Sequence, residues 1–358
     1  MYWLPCRFFT SKEKQSLKNR LLIVGLFSNP DKAPATQAFV LANALKRHGY
    51  EVNTVSGYVN RWLRLFDITF TMIARANRYD TAIVQFYSGS SFIWQYIAAI
   101  IAKLYRKKLL FTVHGGGVPD KLKSSIGKRY LSLLQKADLI TVPSQYLQYE
   151  LNRYNITSLL IENIISLDNY KFQNKQQIKP SVLWMRAFSD IYNPLMAVRV
   201  VNELKEKYPE VKMVMGGPDL GMLHATQKLI SDLKLETNIE LVGFINIEKK
   251  NHYASVCDVY ISTNKIDNAP VTFLEMWALG LLVISTDVGG IQYLVDNNQT
   301  GVIVPDEDYK QMAAAIGRLI EDRYLAQTII QRARDKAKTY DEAQVVQKWE
   351  QLLGSLNK

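Results

Sequence analysis

The sequence predicts an α/β protein of two doubly wound, Rossmann-like units, each a parallel sheet covered by crossover helices, with a cleft between them. Three observations carry this expectation. The chain has 358 residues, more than a single hydrophobic core usually supports. Short apolar runs rich in Val, Ile and Leu alternate with longer helical patterns along its whole length, as parallel strands joined by crossover helices require. The stretch KFQNKQQIKP at 171–180 has no hydrophobic period and is followed at once by a new apolar run, which marks a division in mid-chain.

Taken in order, residues 1–20 form an N-terminal extension without a strand or helix pattern of their own. The first unit, 21–172, has strand patterns at 21–26, 50–56, 81–86, 109–114, 139–143 and 159–161. A helix over 36–48 lies between the first two and ends at Gly49, where a left-handed residue suits a helix terminus. Residues 173–180 form the linker. The second unit, 181–335, repeats the alternation with strands at 182–185, 212–215, 239–242, 259–262, 282–285 and 301–304. Its first helix opens at Asn193-Pro194, with Asn as cap and Pro where a missing N–H costs nothing. In the last segment, 336–358, the spacing of Val345, Val346, Trp349, Leu352 and Leu353 puts them on one face of a helix that needs a surface to cover.

Composition narrows the function classes. The apolar fraction of 48% and charged fraction of 22% suit a globular protein and leave no case for disorder. Two cysteines, Cys6 and Cys257, favour a reducing compartment and give no metal-binding cluster. The longest apolar stretch, 92–102, is too short to cross a bilayer, which takes roughly 20 residues, and MYWLPCRFF lacks the apolar core and cleavage site of a signal peptide. The net charge of +11 is uneven: residues 1–175 hold 24 Lys/Arg against 10 Asp/Glu, the remainder 20 against 23. A basic half suits a polyanion or an anionic membrane surface, or is simply a solvated face. RWLRLF at 61–66 and the helix pattern running from 92 into Arg106-Lys107-Lys108 pair apolar faces with cations, as monotopic membrane contact requires. The plainer reading is a helix buried against the sheet. Nucleic acid is not expected, because the basic residues form no recognition motif interleaved with aromatics.

Three segments could carry chemistry. In ISTNKIDNAPVTFLEMWALGLLVISTDVGG, 261–290, a strand ends, a loop carries Asp267, and Pro270-Val271-Thr272 leads into a helix bearing Glu275 near its first turn. The free amides of such a helix start bind anions, a diphosphate among them. A neighbouring carboxylate accepts hydrogen bonds from ribose hydroxyls, unless Glu275 merely complements the helix dipole. In VLWMRAFSDIYNP, 182–194, Arg186 follows a strand, where a guanidinium can clamp phosphate oxygens and stabilise a departing diphosphate; a surface ion pair is the bland alternative. In FTVHGGGVPD, His114 ends a strand and three glycines let backbone approach a ligand, although a lone His is often only a satisfied structural group.

Asp267, seven intervening residues and Glu275 resemble the E-x7-E pattern of retaining GT-B glycosyltransferases, family 4 in particular. Pro270, Thr272, Leu274, Ala278, Gly280 and VISTDVGG also stand where that family has such residues. The resemblance is specific in the C-terminal half and mostly topological in the N-terminal half. It implies a GT-B fold whose final helix crosses back to the first unit, an acceptor-binding first unit, and a second unit holding a UDP- or GDP-sugar. It implies that Glu275 binds ribose, that the amides of Val271, Thr272 and Phe273 meet the diphosphate, and that Gly216-Gly217-Pro218 and Gly243-Phe244 line the nucleotide pocket, where each reads equally well as an ordinary tight turn. His114 would position the transferred sugar. By the same resemblance Arg186 is followed five residues later by a second phosphate cation, a Lys; here that position is Ile191, so Tyr192 or Asn193 supplies neutral hydrogen bonds or a cation arrives from elsewhere. The resemblance also gives Asp267 a catalytic place, in contact with the sugar or acceptor, although it is shorter by a methylene than the usual Glu. Pro143-Ser144 and Glu162-Asn163 resemble interdomain motifs of the family, whereas the loop 28–36 lacks its two glycines. Asp306-Glu307-Asp308 spells the D-x-D of the other transferase fold but sits in a polar turn, so neither metal nor cofactor is expected.

The expected activity is therefore retaining transfer of a sugar to a glycan or lipid-linked glycan, in cell-surface polysaccharide biosynthesis. The expected location is cytoplasmic, with peripheral contact to the inner face of the membrane. The rival readings are a sugar-nucleotide epimerase of the same fold and a non-catalytic protein that binds nucleotide or polyanion.

Overall fold

A computed structural model describes residues 20–27, 35–89 and 91–356; residues 1–19 of the extension and 28–34 of the first loop lie outside the described residues. Among the described residues twelve strands form two parallel six-stranded sheets. The first contains β1 (Arg20–Val24), β2 (Glu51–Val55), β3 (Thr81–Phe86), β4 (Lys108–Val113), β5 (Leu139–Val142) and β6 (Leu159–Leu160) in the order β2-β1-β3-β4-β5-β6. The second contains β7 (Ser181–Met185), β8 (Lys212–Gly216), β9 (Ile239–Leu241), β10 (Val259–Ser262), β11 (Leu282–Thr286) and β12 (Val302–Val304) in the order β12-β11-β10-β7-β8-β9. Every expected strand is present, with edges shifted by one or two residues where capping and turn geometry end the ladder.

Both sheets are buried on both faces, which is why the strands read as continuous apolar runs rather than alternating ones. Alternate residues still divide between the faces. Leu21, Ile23, Ile83 and Leu110 fill one side of the first sheet, and Leu22, Val24, Ala82 and Val84 the other. The helix Gln37–Arg47 starts at Thr36, whose hydroxyl accepts from Phe39 N (3.2 Å), and stops at Gly49, whose φ of 81° is the left-handed residue expected there. The helices Arg61–Ala74 and Phe92–Leu104 lie side by side over the Leu22 face. Ile68 and Met72 of one, and Trp94, Ala98 and Ala102 of the other, turn inward.

The final helix, Glu342–Ser355, returns to the first unit. Val345, Val346, Trp349, Leu352 and Leu353 are all buried among Leu21, Ile83 and Leu110, each large side chain contributing about 1.5–3 kcal/mol. Arg47 pairs with Glu342 at its start. The helix Arg323–Lys338 runs unbroken through position 335, so the chain leaves the second unit only after Lys338. Its return lies beside the outward crossing: Ile165 N donates to Tyr340 O (3.1 Å) and Leu167 N to Asp341 Oδ1 (3.1 Å).

Candidate active site

The order of strands in the second sheet reverses between β7 and β10, and ligands on such sheets bind beyond the carboxyl ends of the strands at that point. Arg186 follows β7 and Asp267 follows β10, so the topology brings them together across 81 residues. Nη2 of Arg186 donates to Asp267 Oδ2 (3.0 Å) and Nη1 to Thr272 Oγ1 (2.9 Å). The Tyr192 ring lies under the guanidinium, 5.4 Å from Cζ to centroid, while Nε of Arg186 is buried without a partner. Burial opposes the charge, but the surrounding groups, Asp267 among them, outweigh it and hold the guanidinium protonated. Gly217 is required here: at φ 155°, a Cβ on it would stand 1.8 Å from the Arg186 carbonyl oxygen. Its amide donates to Gly243 O (2.8 Å), and Arg186 N to Gly216 O (3.1 Å), which stitches the ends of β7, β8 and β9 into one floor. Phe244 is half-buried on that floor.

The helix Val271–Leu279 begins beside this floor. Its first amides, Val271 and Thr272, have no carbonyl four residues back, whereas Phe273 N turns back to Pro270 O (3.0 Å) and the Phe273 side chain is buried in the core. Glu275 lies one residue beyond the first turn, too deep for simple complementation of the helix terminus, and its carboxylate is fully engaged. Lys250 Nζ donates to both oxygens (2.6 and 2.7 Å) and the Tyr170 hydroxyl to Oε1 (2.9 Å). The Lys250 and Glu275 side chains are 16% and 11% exposed, a mostly buried ion pair. The burial and the neighbouring carboxylate raise the Tyr170 pKa, so its hydroxyl keeps its proton.

Asp267 is also occupied. Oδ2 accepts from Asn264 as well as Arg186, and Oδ1 accepts Asn268 N (2.8 Å). Gly289 underlies this loop, with a φ of 55° and a hypothetical Cβ 2.1 Å from Asp267 O. Asn193, expected in the donor pocket, caps its helix by accepting Met196 N (3.3 Å). Ile191 is 50% exposed, and its carbonyl receives Lys265 N (2.8 Å); the Lys265 ammonium is committed to Asp190 (2.9 Å).

From the first unit, His114 sits at the end of β4, stacked on Tyr87 at 5.7 Å between centroids. Burial pushes its pKa down to about 4, with Asn163 opposing the shift, so the imidazole is neutral near pH 7. Nε2 is buried and has no hydrogen-bond partner among the described residues. The two units meet along 267–269: Asn268 Nδ2 donates to His114 O (3.4 Å), Ser144 Oγ to Asn268 Oδ1, and Asn163 Nδ2 to Ala269 O (3.0 Å). Thus His114, Arg186, Asp267, Thr272, Gly217 and Gly243 converge, with Glu275 on the adjoining wall. Asp306 and Asp308 do not join them. Asp308 caps the helix Tyr309–Glu321, and Asp306 accepts Glu307 N. Among the described residues no group of three or more His, Cys, Asp or Glu is placed to hold a metal.

Sequence reasoning did not find Lys250, Tyr170, Asn268 or Tyr87. Lys250 carried a weak signal, as a cation one turn into the helix after Gly243-Phe244. Tyr170, 105 residues from its partner, carried none.

Two family models match: "Glycosyltransferase Family 4" over residues 34–169 and "Glycosyl transferases group 1" over 168–336. The amylovoran biosynthesis glycosyltransferase AmsK of Erwinia amylovora is 29% identical over 116 residues, 31% of this chain and 28% of that protein, so the match spans less than a third of that relative's length. An N-acetylgalactosaminyltransferase of Campylobacter jejuni, acting on a diphospho-undecaprenol-linked sugar by its name, is 23% identical over 262 residues, 69% of this chain and 70% of the other. Anabaena HepE, solved in complex with UDP and glucose, superposes with a TM-score of 0.73 at 16% identity, covering 94% of this chain and all of that one, a likeness of fold. The chain belongs to the GT-B glycosyltransferases of the family 4 type.

Proposed function

We propose that this protein transfers a sugar, with retention at the anomeric carbon, from a UDP- or GDP-sugar to a glycan or lipid-linked glycan in cell-surface polysaccharide synthesis. The observation that carries the reading is the Arg186 fork, oriented by Asp267 and Thr272 over the Gly217 floor and beside the open amides of Val271 and Thr272. A guanidinium preoriented next to a helix start is matched to a diphosphate whose charge grows as it leaves. Lys250, held through Nζ by both Glu275 oxygens, belongs to the ribose side of the site, and the reading invokes neither metal nor cofactor.

In this reading Glu275, with Lys250 and Tyr170, grips the ribose. The bond from the anomeric carbon to the phosphate oxygen breaks as the acceptor oxygen attacks from the same face, and the acceptor proton passes to the leaving phosphate. His114, neutral at working pH, hydrogen-bonds the sugar through its free Nε2 and does not serve as an acid. Asp267 acts as a positioning residue for Arg186. Support comes from the family models and from relatives named for amylovoran biosynthesis and for transfer to a diphospho-undecaprenol-linked sugar. Calorimetric titration of UDP and GDP, with chelator present, is the test. Binding of one fixes the donor class, and binding of neither would remove the nucleotide pocket from the proposal. Free sugar released without acceptor would transfer the assignment to an epimerase.

A further inference from the structure

The helices Arg61–Ala74 and Phe92–Leu104 bury one face each, and the other face of each is exposed among the described residues. On the first, Trp62, Phe66 and Phe70 follow at intervals of four and are 55%, 71% and 74% exposed. On the second, Ile93, Ile100 and Leu104 are 54%, 45% and 73% exposed. Because the helices are packed against each other over the same sheet face, the two stripes lie side by side on the outer surface. Scattered exposed apolar residues are ordinary, but two adjoining stripes of this size mark an interaction site. The charge around them is one-sided. Residues 58–78 and 92–108 hold eight Lys/Arg and one acid, Asp67, and Arg61, Arg75, Arg78, Arg106 and Lys108 are exposed.

We infer that this face is a docking surface for an anionic lipid bilayer, with the apolar stripes in the acyl boundary and the cations at the headgroups. Large apolar side chains backed by Lys and Arg are what interfacial helices need. Charge complementarity separates this occupant from the others. Lys103 is already paired with Asp138 (2.9 Å); a second copy would set the remaining cations against their like, and the chain's own residues 1–19 carry four basic residues and one acid, so neither neutralises the rim. Each helix follows a strand of a parallel sheet, so Trp62 and Ile93 lie at the carboxyl edge on which His114 opens. A bilayer seated here presents a lipid-linked acceptor at the cleft. The inference goes beyond the transferase reading and does not need turnover to be tested.

The test is co-flotation of the full chain with vesicles of phosphatidylcholine, alone or mixed with phosphatidylglycerol, for the parent and for Phe66→Glu/Phe70→Glu. Binding to the anionic vesicles at least about tenfold tighter than to the neutral ones, and weakened by salt, is expected. The double variant, with an unchanged unfolding temperature, should lose about tenfold or more. Arg106→Glu/Lys108→Glu, away from the apolar stripes, should lose binding to anionic vesicles alone. Equal binding to both lipids, no binding to either, or a double variant that still floats would overturn the inference. So would a concentration-dependent dimer in sedimentation that Phe66→Glu/Phe70→Glu dissociates.

Discussion

Replacing Arg186 by Ala isolates the electrostatic part of the site from its scaffold. The guanidinium makes two directed bonds, to Asp267 and Thr272, but Asp267 keeps two other donors, Asn264 and Asn268 N. The carboxylate left behind is therefore still hydrogen-bonded. The stability cost should stay within about 1–3 kcal/mol, the range for one lost partner of a partly buried group. The catalytic cost is larger, because the charge developing on the leaving diphosphate loses its preoriented partner: about 10²–10³-fold in kcat, or roughly 3–4 kcal/mol. Initial rates of nucleotide diphosphate release at saturating acceptor, beside thermal unfolding curves, separate the two. Arg186→Lys keeps a charge but not the fork and should fall between. If Asp267 acts through Arg186, adding Asp267→Asn to Arg186→Ala should cost little more than Arg186→Ala alone. A folded Arg186→Ala enzyme with near-parent turnover would refute the whole assignment.

Lys250→Met should raise the donor KM by about tenfold while moving kcat less, since one charge-assisted pair is worth about 1.5–3 kcal/mol; an unchanged KM in steady-state rates would place Lys250 outside the donor pocket. Below pH 6.5 the unfolded chain protonates His114 while the buried imidazole resists until about pH 4. Stability should therefore fall as pH drops across that window, by up to roughly 3 kcal/mol, and His114→Gln should flatten that part of the unfolding temperature profile. Trp349→Ala should cost about 3–5 kcal/mol, as other large-to-small core changes do, and lower the midpoint of denaturant unfolding; a surface-like loss of a few tenths would mean that the last helix is only loosely attached.

Much of this was legible because the strands are buried on both faces. A run such as TAIVQF can be little else than a central strand, and Arg186 and Asp267 stand at strand ends, where a parallel sheet places its ligands. Helix termini were legible from Thr36, Gly49 and Asn193, residues whose backbone and side chain act locally. Asn193 also shows the limit: the same carboxamide that caps the helix is thereby occupied, and only coordinates reveal the competition. The Glu275 cluster was hidden for another reason. Lys250 and Tyr170 come from different elements, and their meeting depends on how the segment just ahead of the linker lies against the second unit, a long-range packing outcome that leaves no periodic trace. Ile191 marked a missing cation, and the sequence carried no sign that Lys250 would pair with Glu275.

The return of the helix Glu342–Ser355 has a consequence for how the chain is made. Leu21, Ile83 and Leu110 reach their final neighbours only when Val345, Trp349 and Leu352 arrive. During synthesis the first unit emerges with one side of its sheet covered only in part, by the helix Gln37–Arg47, and the rest of that face waits for the second unit to be translated. An apolar surface held open that long is where a nascent chain aggregates or engages chaperones. Ribosome-stalled chains ending near residue 338 should therefore be protease-sensitive in the first unit, and those extended past 356 should not.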